Sequence, residues 1–159
     1  MGYANGVCDD FDFEVGKWRV HHSRLKEKLA GCDDWEAFSG TSETRLVLGG
    51  NGNIEDNLID FPTGAYRAIA IRSFDAKAGT WAIWWLASNS PHHLDVPVIG
   101  SFENGTGAFY ADDHLGDMPI KVRFLWIRTD TASPRWEQAF SGDGGATWET
   151  NWTMDFQRV

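Results

Sequence analysis

Trp148-Glu149-Thr150-Asn151-Trp152-Thr153-Met154-Asp155-Phe156-Gln157, near the end of the chain, sets Trp148, Thr150, Trp152, Met154 and Phe156 alternately against Glu149, Asn151, Thr153, Asp155 and Gln157. A period of two predicts a strand with one buried face and one wet face. The same reading holds for Ile120, Val122, Phe124 and Trp126 against Lys121 and Arg123, and for Trp136 and Phe140 against Arg135 and Glu137. The stretch Thr80 to Ser88 breaks the rule: Trp81, Ile83 and Trp85 face one way, Ala82, Trp84 and Leu86 the other. Both faces are apolar, so one covers the core and the other meets a helix, a loop or a second subunit; a second subunit is favoured, because few residues remain for covering helices.

Turn signals punctuate these runs: Gly49-Gly50-Asn51-Gly52, Pro62-Thr63-Gly64, Asp75 to Gly79, and Gly142 to Gly145. Glu103-Asn104-Gly105-Thr106 is a two-residue hairpin signal, because Asn-Gly tolerates the positive φ of a type I′ turn. The only helical signal is a short segment from Leu25 to Ala30. The pattern predicts an all-β domain over 1–159, an antiparallel up-and-down β-barrel of about eight to ten strands.

The chain has 159 residues, enough for one domain with a sizeable core. Its 14 Lys and Arg against 23 Asp and Glu leave a formal charge of −9, which repels phosphate backbones and argues against nucleic acid or an anionic membrane as partner. No apolar stretch approaches a membrane span, and Cys8 and Cys32 are too few for a disulfide scaffold. Two reduced thiols and a cytoplasmic location are the expectation. Nine Trp have to be housed in a core, a pocket wall or an interface.

Phe11-Asp12-Phe13-Glu14-Val15-Gly16-Lys17-Trp18-Arg19-Val20 reads as the first strand. Its Gly16-x-Trp18, with Arg158 at the end of the last strand, resembles the calycin signature. In lipocalins and their relatives that Trp closes the barrel bottom and the Arg packs across its face. Phe13 to Trp18, Tyr66-Arg67, Phe74-Asp75, Pro119-Ile120 with Val122-Arg123-Phe124, and Trp136 to Phe140 resemble an uncharacterised family of bacterial lipocalin-like proteins. The resemblance implies a calycin/lipocalin-like barrel with an internal cavity and supplies no catalytic residues. Ser141-Gly142-Asp143-Gly144-Gly145-Ala146-Thr147-Trp148 resembles the Asp-box of sialidase-type propellers, but it occurs once, so we read it as a structural turn.

Counting alternate positions from Trp18 aims Val20 and His22 into the barrel and His21 outward. His92-His93 belongs to a rim loop and Asp112-Asp113-His114 to another loop. No spaced His pattern marks a metal site. His22 and Gln138 fall inward among Trp85, Trp126, Trp136 and Trp152, an aromatic cup with one imidazole and one amide. These residues and Tyr110 are the candidate ligand-binding set.

Three functions follow from this set. The first is binding of a small, largely apolar or aromatic ligand inside the barrel. The second is a cofactor-independent isomerase, cyclase or hydro-lyase, with His22 as acid or base and Gln138 or Tyr110 polarising a carbonyl. The third is a non-catalytic interaction module presenting Trp84 and Leu86. No cofactor is predicted. Haem is a special case of the first function, because a related barrel class uses an inward His as its axial ligand. A homodimer is expected through Thr80 to Ser88.

Overall fold

A computed structural model describes residues 6–159. Ten strands form one closed sheet: β1 (Gly16–Leu25), β2 (Trp35–Val47), β3 (Gly52–Ile59), β4 (Tyr66–Asp75), β5 (Thr80–Ala87), β6 (Val98–Glu103), β7 (Thr106–Leu115), β8 (Met118–Ile127), β9 (Arg135–Ser141) and β10 (Glu149–Arg158). Each strand pairs antiparallel with its sequence neighbours, and β1 pairs with β10 to close the ring. The all-β up-and-down barrel read from alternation is the observed fold. Asn104 (φ 53°) and Gly105 (φ 79°) make the expected hairpin turn between β6 and β7.

The first strand starts later than the sequence suggests. Phe11 to Glu14 form no strand: Asp12–Glu14 is a single 3-10 turn that pushes Phe11 into the barrel. There the Phe11 ring meets Trp81 at 4.9 Å and Phe102 at 4.8 Å, both edge-on. Plug residues Cys8 and Asp10 fasten this segment: the Cys8 amide donates to Asn51 Oδ1 (3.1 Å) and Trp81 Nε1 donates to Asp10 Oδ2 (3.3 Å). Burial and the adjacent Asp10 push the Cys8 thiol up to about 11, so it stays protonated.

Trp18 and Arg158 meet as the calycin reading expects. They are register partners of β1 and β10, and the guanidinium lies 4.0 Å from the indole centroid. Arg158 also donates to the Phe13 and Val15 carbonyls (2.9 and 2.5 Å), while Trp18 Nε1 donates to the Glu14 carbonyl (2.8 Å). The clamp therefore ties the plug turn to both ends of the strand ladder. Gly16 is required here, because its φ is 121° and a Cβ would fall on Arg158 Nη1.

Next to the plug, Glu55 and Arg72 form a buried ion pair, with Arg72 Nη1 donating to Asn53 Oδ1 (3.0 Å) and Ser42 Oγ to Glu55 Oε2 (2.7 Å). The Arg72 guanidinium lies over Phe11 at 4.9 Å and Trp126 at 5.4 Å. Glu14 is fully buried, and burial, then the neighbouring Glu55 carboxylate, holds its carboxyl well above the usual range and thus neutral.

Three further expectations need correction. Leu25 ends β1 and residues 26–31 are bends, so the short helix is absent, although Leu25 is buried and Leu29 packs against the core. Asp112, Asp113 and His114 belong to β7 instead of a loop. In β10 the register shifts between Thr150 and Trp152, leaving Asn151 as an extra, fully buried residue. The alternation therefore reverses across this bulge. Trp152, Met154 and Phe156 point into the barrel, whereas Trp148 lies outside, with the Arg123 guanidinium 4.7 Å from its ring and Tyr110 at 5.9 Å. The Asp-box segment is the β9–β10 turn. Thr147 donates to both Asp143 carboxylate oxygens (2.9 Å from N, 2.6 Å from Oγ1), and these bonds hold Asp143 down at about 2.

Arg158→Ala is expected to lower stability by about 1–3 kcal/mol, through loss of the ring contact and two charge-assisted hydrogen bonds. Urea melts of the two proteins would show it, and superimposable curves would contradict the clamp.

Candidate functional site

The two ends of the barrel differ because only one is plugged. The other holds a cavity of about 340 Å³ that opens to solvent. Trp85 (β5), Trp136 (β9) and Trp152 (β10) form its aromatic floor. Trp152 is central, meeting Trp85 at 5.8 Å and Trp136 at 5.4 Å, both near-perpendicular. Phe124 packs edge-on against Trp136 at 5.0 Å, and Phe140 and Leu115 continue the apolar wall. Beneath the floor a second void of about 20 Å³ touches Trp126 and the Glu55–Arg72 pair, room for about one water.

Four sequence-derived candidates, Trp85, Trp136, Gln138 and Trp152, line the cavity together. Gln138 Nε2 donates to Asn151 Oδ1 (2.8 Å), so the β10 bulge orients the amide, and no described protein group donates to its Oε1. That oxygen keeps its acceptor capacity.

The other three candidates lie elsewhere. Tyr110 is 49% exposed on the outer face of β7, because Phe109 takes the inward position at this register. Trp126 points inward but one layer too deep, against Phe156 and the plug. His22 is inward, as alternation from Trp18 predicts, yet 1% exposed and behind the cavity wall.

The His22 geometry assigns its chemistry. Trp152 Nε1–H, which can only donate, points at His22 Nδ1 at 3.1 Å, so Nδ1 is unprotonated and the proton sits on Nε2. Phe38 stacks on the imidazole at 4.8 Å and 14°. A Cβ on Gly40 would fall on the Leu58 carbonyl oxygen, which requires glycine there, and would lie 3.1 Å from Nε2, a tight contact with the ring. Burial, then the charges of His21 and Arg24, lowers its pKa from 6.5 to about 3. His22 is thus a neutral acceptor that orients Trp152 and is not part of the cavity lining.

The sequence reading missed the cationic wall. Arg24 occupies the next inward position of β1 after His22; its guanidinium lies 4.7 Å from the Trp152 ring and 5.6 Å from Phe61. The counting that aimed His22 inward also aims Arg24, so that signal was present. Lys28 reaches the cavity from the bends after β1, where the Leu29 amide donates to Glu149 Oε1 at 2.7 Å; no periodicity announces it. Burial first and then the Arg24 charge lowers the Lys28 pKa. Burial raises the Tyr66 phenol, while Arg24 beside its hydroxyl pulls it the other way.

On the rim loop after β5, His93 pairs with Asp95 at 3.3 Å, and both line the cavity, so His93 sits at the rim as expected. Burial holds the Asp95 carboxyl above its ordinary value, against the pull of His93. Among the described residues no three His, Cys, Asp or Glu side chains are grouped as a metal site. No protein-family model matches the chain, and no curated protein matches it.

His22 is expected to keep the Nε2–H tautomer, unprotonated, from pH 7.5 down to pH 5. Imidazole 15N shifts read this directly, and an Nδ1–H pattern or a midpoint near 6.5 would contradict it. The unfolded imidazole binds a proton near 6.5 and the folded one resists it, so His22 subtracts stability as pH falls below that value.

Proposed function

We propose that the protein binds a small, largely apolar or aromatic molecule in the open end of the barrel. The observation that carries this reading is the solvent-connected cavity of about 340 Å³ floored by three indoles, with the Gln138 amide at its wall. Ligand pockets share this make-up: a concave apolar surface, a few fixed polar groups and a volume of roughly 300–1,000 Å³. The calycin-type clamp at Trp18 and Arg158 supports membership of a lipocalin-like family, in which one end of a barrel is shut and the other receives the ligand. An enzyme using His22 as acid or base draws no support from the geometry, because that imidazole is 1% exposed, lies outside the cavity lining and has its Nδ1 occupied by Trp152. A filled core would favour a pure interaction module; the barrel is open instead.

The homodimer belongs to the same proposal. On the outer face, Trp84 sits opposite Ile71, Leu86 opposite Ile69, and Ala82 opposite Ile99, which is itself opposite Tyr110. The resulting belt crosses β4 to β7, and Ile99 and Tyr110 are about half exposed (50% and 49%). A contiguous apolar belt of this kind suits a second copy better than solvent. The reduced thiols Cys8 and Cys32 suit a cytoplasmic setting.

Two measurements test the proposal. Titration with the neutral probe 2-naphthamide should quench Trp fluorescence with saturation, and Trp85→Ala should weaken binding by about tenfold. No saturable quenching, or an unaffected variant, would remove the ligand reading. Light scattering should give twice the 17.8 kDa chain mass. A clean monomer at micromolar concentration would remove the dimer.

A further inference from the structure

We infer that the cavity takes an aromatic monocarboxylic acid, its ring against the Trp85–Trp136–Trp152 floor and its carboxylate on Arg24 and Lys28. The inference rests on the ligand-binding reading above and adds the charge and polarity of the occupant.

The first support is the state of the two cations. Among the described residues Lys26, Arg67, Arg72, Lys121, Arg128 and Arg135 each have a carboxylate within ion-pair distance; of the Lys and Arg without one, Arg24 and Lys28 are the two that line the cavity. Glu36 is the register neighbour of Arg24 on β2 and makes no such pair; Glu149 accepts from the Leu29 amide and attracts Lys28 without reaching ion-pair distance. In a chain of formal charge −9, two cations close enough to disfavour each other, both lining one aromatic cavity, carry a cost that the Glu149 carboxylate offsets only in part, since the Lys28 pKa stays lowered. An anion there relieves it. A guanidinium over an indole can still offer N–H groups in a fork to a planar two-oxygen acceptor, the geometry in which carboxylates bind.

The second support is the opposite wall. In the ring order β6 stands five strands from β1, diametrically across the mouth. Asp95, on the loop leading to β6, and Asp113, at an inward position of β7 opposite Ile120, place acidic groups on that side. The mouth is therefore polarised, basic at β1 and acidic at β6–β7. Such a field orients a monoanion with its carboxylate toward Arg24 and penalises a dianion, whose second charge brings extra repulsion from Asp95 and Asp113. This argues for a carboxylate over a phosphate monoester.

The test compares three probes with one ring system, 2-naphthoate, 2-naphthamide and 2-naphthyl phosphate, by Trp quenching at pH 7.5. The acid should bind about tenfold more tightly than the amide and more tightly than the phosphate. Arg24→Met, which keeps the apolar stem, should erase the preference of acid over amide while changing amide affinity less than about threefold. Lys28→Met, in the bends after β1, should remove part of that preference and guards against misfolding of the β1 variant. Equal affinity of parent protein for acid and amide, tighter phosphate binding, or an equal loss for both probes in Arg24→Met would overturn the inference while leaving the cavity reading in place. Binding of none of the three would overturn both.

Discussion

The structure turns on how ten strands are closed. A ring of ten strands encloses more space than the inward side chains of its own strands fill, since eight already leave room for little more than those side chains or one small ligand. The chain fills one half with a segment that is not part of the sheet. Phe11 enters from the 3-10 turn before β1, and Arg158 holds that turn by two of its carbonyls. Everything above the plug inherits the remaining space.

The chemistry is divided in the same way. Around the plug, charges are buried but matched: Glu55 on Arg72, Arg72 on Asn53, Ser42 on Glu55, and Glu14 neutral beside them. Such a cluster is weak evidence for net stability, but removing one member leaves an uncompensated charge and costs roughly 3–5 kcal/mol. Near the mouth, charges are half-buried and, at Arg24 and Lys28, unmatched. The indole layer of Trp85, Trp136 and Trp152 separates the two regimes, and His22 fixes Trp152 from behind. Polar residues of one barrel thus do two jobs, set by whether a protein partner is within reach.

Much of the fold was legible because alternation is a local property. β8, β9 and the later part of β10 were readable residue by residue, and the Asn-Gly hairpin by its turn chemistry. Errors came where one residue changed the phase. The bulge at Asn151 turned Trp148 outward although its spacing matches Trp152, and Phe11 left the strand pattern for a 3-10 turn that packing, not propensity, holds in place. At the site, inward direction was read correctly for His22, Trp126 and Gln138, but depth along the barrel axis was not. Depth depends on strand stagger and on where the plug ends, and neither is written in a single strand. Tyr110 lies on the wrong face because the inward set of β7 is carried by Phe109, Ala111 and Asp113, without the strong polar alternation of β8.

The account stands or falls on where an occupant sits. Indole 15N–1H correlation spectra of the protein during addition of 2-naphthamide resolve this, since the nine Trp side chains sample both halves of the barrel. The account predicts shifts concentrated on the indoles of Trp85, Trp136 and Trp152, with Trp18, Trp81 and Trp126 unmoved beneath the floor. Shifts centred on the plug-end indoles, or on Trp84 and Trp148 outside the sheet, would contradict it.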